Sequence, residues 1–284
     1  MTDAIDTAWE GELPITLIEA GQRPFWLDVK EIWRYRDLFW LLARRNIVTR
    51  YRQSVVGIGW AVITPLLSTL IFTVIFGRVA GISSDGAPYP LFVFTALLPW
   101  TYFSGALSAA TGSVVGNGAL VQKVYFPRML LPFVGVVTGL VELVIQFVTL
   151  FLLMAWFGYA LGPNAVFILA FLLLAIVTAL SVGLWLTALN VKYRDVGQAI
   201  PFVLQAWMWL SPIVYPSQQI SDRLRPLYGL NPMVGVIEGF RWSLLGSVTP
   251  DWSMMAVSAA VVCSLLVGGV YYFRKTEVTF ADVI

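Results

Sequence analysis

From Ala165 to Asn190 the chain carries no charged residue, and from Met129 to Phe157 it carries one, Glu142. A helix needs about 20 predominantly apolar residues to cross the roughly 30 Å hydrocarbon layer of a bilayer. Runs of this kind recur along the sequence, and six are read as spans: Gly57–Phe76, Leu91–Val115, Met129–Phe157, Ala165–Asn190, Ala199–Tyr215 and Met254–Phe273. Only Gly158–Asn164 separates the third from the fourth, which predicts a tight turn there. The composition agrees. Charged residues are 12% of the 284 and apolar residues 58%, whereas soluble domains carry about 25% charge. With a mean hydropathy of +0.79, lipid has to cover much of the surface. The expected fold is an all-α integral membrane protein with six transmembrane helices, rather than a soluble enzyme.

Lys and Arg set the expected orientation. With the N-terminus in the cytoplasm, the outer segments hold only Arg78, Arg223, Arg225 and Arg241, and the rest of the 18 basic residues lie inside. Both termini are then cytoplasmic. Residues 1–25 read as an acidic cytoplasmic tail carrying Asp3, Asp6, Glu10, Glu12 and Glu19. With no long apolar core there, no cleavable signal is expected, and the first span is expected to direct insertion. Residues 276–284 read as a short cytoplasmic tail. The net charge of +2 is too small to suggest a nucleic-acid partner.

Three segments outside the spans have a pattern of their own. In Trp26–Gln53, apolar residues from Ile32 to Tyr51 recur at three- and four-residue steps among Arg34, Arg36, Arg44, Arg45 and Arg52. This suits a helix lying along the inner leaflet, able to touch a lipid pyrophosphate; a helix packed on protein is the alternative. Asn117–Arg128 is partly apolar and forms an inner knob that could enter another protein's groove. On the outer side, Pro216–Asp251 reads as two short helices, Leu224–Leu230 and Val234–Leu245, divided by Asn231–Pro232. They are expected to dip into the outer leaflet and return, covering a pore. Glu238 and Arg241, three apart on the second of them, are expected to pair. Glu142 has two readings: an intramembrane proton relay, or a structural partner for an arginine or a backbone group.

Several chemistries have no residues to perform them. There is no histidine, and the one cysteine, Cys263, lies in an apolar run. No GxxxxGK[ST], HExxH, CxxC or DxD pattern occurs, so neither a phosphate-cradling loop nor a metal centre is expected. The chain reads as a conduit or scaffold whose energy comes from another polypeptide. Twelve Trp, eleven Tyr and eighteen Phe suit headgroup depth, and equally suit sugar rings, whose C–H faces stack on aromatics.

Four stretches then carry a resemblance. RYRQSVVGIGWAVITPLLSTLIFTVIFG (Arg50–Gly77), LNVKYRDVGQ (Leu189–Gln198), LSPIVYP (Leu210–Pro216) and LNPM (Leu230–Met233) are similar, in that order, to the permeases of polysaccharide-exporting ABC transporters. These are the type-2 exporters that include the O-antigen and teichoic-acid permeases. The likeness covers roughly residues 27–275. It implies a homodimer of six-span subunits, within a transmembrane domain of residues 54–275 here. It implies two separate ATP-binding subunits that hold ATP and Mg, so no cofactor in this chain. It implies a substrate glycan on undecaprenyl pyrophosphate and a place in the bacterial cytoplasmic (inner) membrane. Gly118–Arg128 matches the coupling helix, with Lys123, Tyr125, Phe126 and Arg128 meeting the ATPase beside Arg44 and Arg45. Arg50 and Arg52 are the candidate pyrophosphate contacts, because a guanidinium offers paired donors to phosphate. The candidate channel aromatics are Phe72, Phe76, Trp100, Tyr102, Phe103, Trp207, Trp209 and Tyr215. Exporters of teichoic acid, capsule or a small hydrophobic compound share this pattern. An ion-coupled secondary transporter and a membrane enzyme acting on lipid-linked sugars fit it less well.

Overall fold

A computed structural model describes residues 33–52, 56–84, 86–221, 223–246 and 249–280. The acidic tail, the start of the Trp26–Gln53 helix and the end of the C-terminal tail fall outside them. The described chain is helical throughout, with no strand. Helix α1 is Arg36–Tyr51. The first apolar run is a composite: a 3-10 turn Gly57–Gly59, α2 Trp60–Phe72 and a π-helical stretch Thr73–Val79. Helices α3 Tyr89–Gly116, α4 Gly118–Lys123 and α5 Leu130–Trp156 follow. A 3-10 turn, Pro163–Phe167, leads into α6 Ile168–Lys192. The remaining helices are α7 Asp195–Trp209, α8 Arg225–Tyr228, α9 Pro232–Leu245 and α10 Trp252–Glu277.

Five of these stretches are long and apolar enough to cross a membrane: Gly57–Val79, Tyr89–Gly116, Leu130–Trp156, Pro163–Lys192 and Trp252–Glu277. They match five of the six runs to within a few residues. The run Ala199–Tyr215 differs. Its helix, α7, has 15 residues and is about 22 Å long. It stops before Pro212, because the residue preceding a proline is pushed out of helical geometry. In the C-terminal tail, Phe280 is buried and its ring packs edge-on against Phe273 at 5.3 Å.

Helix α3 is the centre of the bundle, buried on almost every side against α5, α6, α9 and the first run. Membrane helices gain little hydrophobic energy by meeting, so close backbone approach and interhelical hydrogen bonds hold them together. Both converge on Ala110. A Cβ on Gly135 of α5 would come within 2.8 Å of the Ala110 backbone nitrogen, and one on Gly183 of α6 within 3.1 Å of the Ala110 Cβ. Thr187 Oγ1 donates to the Ala110 carbonyl at 2.8 Å, and Asn190 Nδ2 to that of Thr111 at 3.0 Å. Helix α10 begins with a cap: Asp251 Oδ1 accepts from the Ser253 and Met254 amides at 3.0 and 3.3 Å. The Ser253 hydroxyl, then the Met254 amide, hold the Asp251 carboxyl below its ordinary value.

We expect Gly135→Leu to force α3 and α5 apart, since overpacking costs roughly 1–3 kcal/mol even where neighbours can yield. The neighbour here is backbone, so detergent-solubilised protein should show a lowered melting temperature or aggregate. A variant as stable as the parent would contradict this account of the crossing. For Asp251 the folded pKa is depressed, so its contribution is complete above the unfolded value and fades as pH falls through the folded one. Asp251→Ala should cost about 1 kcal/mol at neutral pH, with the difference shrinking in acid.

Candidate functional site: the inner foot, the knob and the aromatic strip

The inner end of the bundle is knitted by arginines. Helix α1 lies against α5, with Leu42 and Ala43 buried and Trp33, Trp40, Leu41 and Val48 exposed. It therefore has one face on protein and apolar side chains left for lipid. Arg45 Nη2 donates to Asn117 Oδ1 at 2.6 Å, fastening α1 to the elbow between α3 and α4. Arg50 Nη1 lies 2.8 Å from Glu142 Oε1. Of the two readings of Glu142, the structure displays the arginine partnership. Arg44 and Arg52 are exposed.

The knob divides into an outward and an inward half. Lys123, Val124 and Tyr125 are exposed, whereas Phe126, expected beside Tyr125 on the tip, is 3% exposed and belongs to the core. The chain leaves α4 extended at Val124 and turns from exposed at Tyr125 to buried at Phe126. Arg128 also turns inward. Its guanidinium binds the Glu277 carbonyl, and its amide donates to Glu277 Oε1 at 3.3 Å. Arg274 lies 3.5 Å from Glu277 Oε2, so the knob's base is anchored to the end of α10.

The eight candidate aromatics separate into groups. Phe72, Phe76 and Trp209 form one strip, with ring centroids 5.8–6.1 Å apart between the first run and α7. Trp209 is 45% exposed and the two phenylalanines are half-buried. Trp100, Tyr102 and Phe103 are buried within the bundle. The cause is the central position of α3, whose first half is enclosed from Leu91 to Trp100, while Ser108 and Gly112 further along it are exposed. Phe103 packs edge-on against half-buried Trp207 at 5.2 Å, and the Tyr102 hydroxyl donates to the Val136 carbonyl at 3.3 Å. Tyr215 shares a 3.0 Å hydrogen bond with Tyr228. Burial first, then this bond, holds the Tyr228 phenol far above its ordinary value.

Sequence reasoning assigned Asn231 only a break between helices, but it is a junction. Its Oδ1 accepts from Trp207 Nε1 at 2.8 Å and caps α9 through the Met233 amide at 3.0 Å. Its Nδ2 donates to the Leu210 carbonyl and to Ser211 Oγ, both at 3.1 Å. The Asn–Pro pair before an apolar run was the available signal, being an N-cap followed by a proline in the first turn. Beside it, the expected Glu238–Arg241 pair forms at 3.2 Å. Arg241 also donates to the Ile213 carbonyl at 2.8 Å and lies 3.6 Å over the Phe92 ring.

These features define a class: a polytopic helical membrane protein with a protruding knob at one end of the bundle and a pair of short helices at the other. Within that class, the chain belongs to the ABC-2 type transporter family, whose pattern matches residues 37–245. It is similar to the O-antigen export system permease protein RfbA of Myxococcus xanthus, 28% identical over 90% of this chain and 98% of that protein. A permease of the same name from Klebsiella pneumoniae is 26% identical over 87% of this chain and 95% of its own length. The polysialic acid transport protein KpsM of Escherichia coli is 23% identical over 82% and 91%.

We expect Phe126→Ala to cost about 3–5 kcal/mol, the usual range for emptying a buried phenylalanine site. Tyr125→Ala should leave the melting temperature nearly unchanged. Equal thermal shifts for the two would contradict the division of the knob.

Proposed function

We propose that this chain is the membrane subunit of an ATP-driven exporter that carries a polysaccharide on undecaprenyl pyrophosphate, O-antigen before teichoic acid or capsule, across the bacterial cytoplasmic membrane. The observation carrying this reading is the near end-to-end similarity to proteins named as O-antigen export permeases. Two copies would form the conduit. An ATP-binding subunit under each would hold the ATP and Mg, and Lys123, Val124 and Tyr125 offer each of them an exposed contact.

Geometry supports counting α7 with the segment after it as a sixth crossing. Near its start, the Gly197 amide donates to Asn190 Oδ1, and Asn190 is bound to Thr111 near the inner end of α3. At the far end, the Tyr89 hydroxyl, at the outer start of α3, donates to the Val214 carbonyl at 2.6 Å. Residues 197–214 thus cover the same height as α3 between Thr111 and Tyr89, roughly 33 Å. Six crossings return the C-terminus to the side of the N-terminus, the cytoplasm by the distribution of Lys and Arg. α8 and α9, between the fifth and sixth crossings, are then re-entrant helices at the outer face. The half-exposed strip of Phe72, Phe76 and Trp209 is the part of the aromatic set that a passing glycan could stack on, and Arg50 and Arg52 are the anchors for the pyrophosphate.

The test is reconstitution. In lipid vesicles this chain alone should move no lipid-linked glycan, and adding its ATP-binding partner with ATP should start transport; movement without the partner would overturn the proposal. Tyr125→Ala should leave the complex assembled and hydrolysing ATP while export falls. Reversing Arg50 and Arg52 to Glu should abolish export with insertion intact, and export at the parental rate would remove their role.

A further inference from the structure

The first run and α5 do not close on each other along their whole length. Between them lies an open groove of about 510 Å³, lined by Val62 and Leu66 from α2 and by Val144, Val148, Leu152 and Trp156 from α5. Its α5 wall covers about 18 Å, and nearly all its lining is apolar. One seam between two helices forms it, which gives it the elongated shape of a hydrocarbon chain. Glu142 lies half a turn before Val144 on α5, and the Arg50 guanidinium pairs with it there, next to the end of the groove that Val144 lines.

Arg50 does not expend its binding capacity on Glu142. A guanidinium has five N–H donors, and the contact is a single one through Nη1. The Arg50 side chain is 43% exposed while paired, and Glu142 25%. A long apolar trough with a partly exposed arginine at one end is complementary to a lipid with a phosphate head and one hydrocarbon chain.

We propose that the seam between the first run and α5 seats the hydrocarbon chain of the lipid-phosphate substrate, with Arg50 at its foot taking the phosphate and Glu142 holding Arg50 in position until the phosphate displaces it. The proposal rests on the lipid-linked substrate read above and adds where the lipid lies. Glu142 is a positioning residue here: its carboxylate keeps the guanidinium aimed at the groove, and makes seating an exchange of one anion for another. Two phosphate oxygens can engage the planar fork together, which the present one-point contact does not.

The experiment uses the complete transporter in nanodiscs and a polyprenyl phosphate with a photoreactive group in its chain. Cross-links should map to α5 between Val144 and Leu152. Val148→Trp, a substitution at an exposed site, should abolish them without changing assembly or ATP hydrolysis; Leu152→Trp provides a second filling variant if the first disturbs folding. Arg50→Gln should weaken probe retention about tenfold, the scale of a charge-assisted hydrogen bond, and Glu142→Gln should strengthen it. An excess of phosphatidylglycerol should compete poorly. Cross-links elsewhere that still depend on Arg50 would overturn the groove and spare the phosphate role. Cross-links in the groove indifferent to Arg50 would overturn the head–tail arrangement. Indifference to Glu142→Gln would overturn the latch, and equal competition by phosphatidylglycerol would reduce the groove to ordinary lipid contact.

Discussion

The contact at Ala110 is the one on which the rest of the structure depends. Lipid tails are as apolar as leucine, so the bundle cannot rely on expelling water to bring its helices together. Gly135 and Gly183 remove the side chains that would hold α5 and α6 away from α3. At the short distance this permits, Thr187 and Asn190 reach carbonyls already used within α3 and share them. With α5 and α6 fixed, the elements they lead into are fixed too: the knob before α5, the turn into α7 after α6, and α9 over the outer end of α3.

Charge is then spent at the two ends of the bundle. At the outer end, Arg241 satisfies its donors with Glu238 and with carbonyls of the segment following α7, while its face covers Phe92. Removing one member of such a buried pair leaves the other uncompensated, the circumstance in which loss is most costly. At the inner end, Arg45, Arg50 and Arg128 each bridge segments distant in sequence. Arg50 and Glu142 stay partly exposed, where a pair is weaker and exchangeable. The contrast separates a clamp from a contact that can open.

Hydropathy made five long runs legible because, in lipid, length and absence of charge nearly define a helix. The Ala199–Tyr215 run was legible as an apolar stretch but not as a helix that stops at Trp209, since Pro212 ends the helix without ending the apolar run. The π-helical stretch Thr73–Val79 left no mark in a sequence read by residue type. The aromatics were the least legible part. Tyr102 and Trp209 are equally ring-bearing in sequence, and only the central place of α3 determines that the first is enclosed and the second exposed. Phe126 and Tyr125 were inseparable for the same reason: both are aromatic neighbours in a short connection, and the sequence does not say which of them turns inward.

The stretches that carry the family likeness are places where helix ends meet. Arg50 joins α1 to α5, Asn190 joins the end of α6 to α3 and to the start of α7, and Ser211 and Asn231 join the end of α7 to the start of α9. Between such joints, exposed positions need only an apolar residue of suitable size, unlike Gly135 and Gly183, where the crossing leaves no room for a side chain. The joints also define how force would travel. A push on Tyr125 reaches α5 directly along the chain, α10 through Arg128 and Glu277, and α3 with α1 through Asn117 and Arg45. A stroke delivered at the knob would thus reach both α1 and α5, the two helices that Arg50 and Glu142 join.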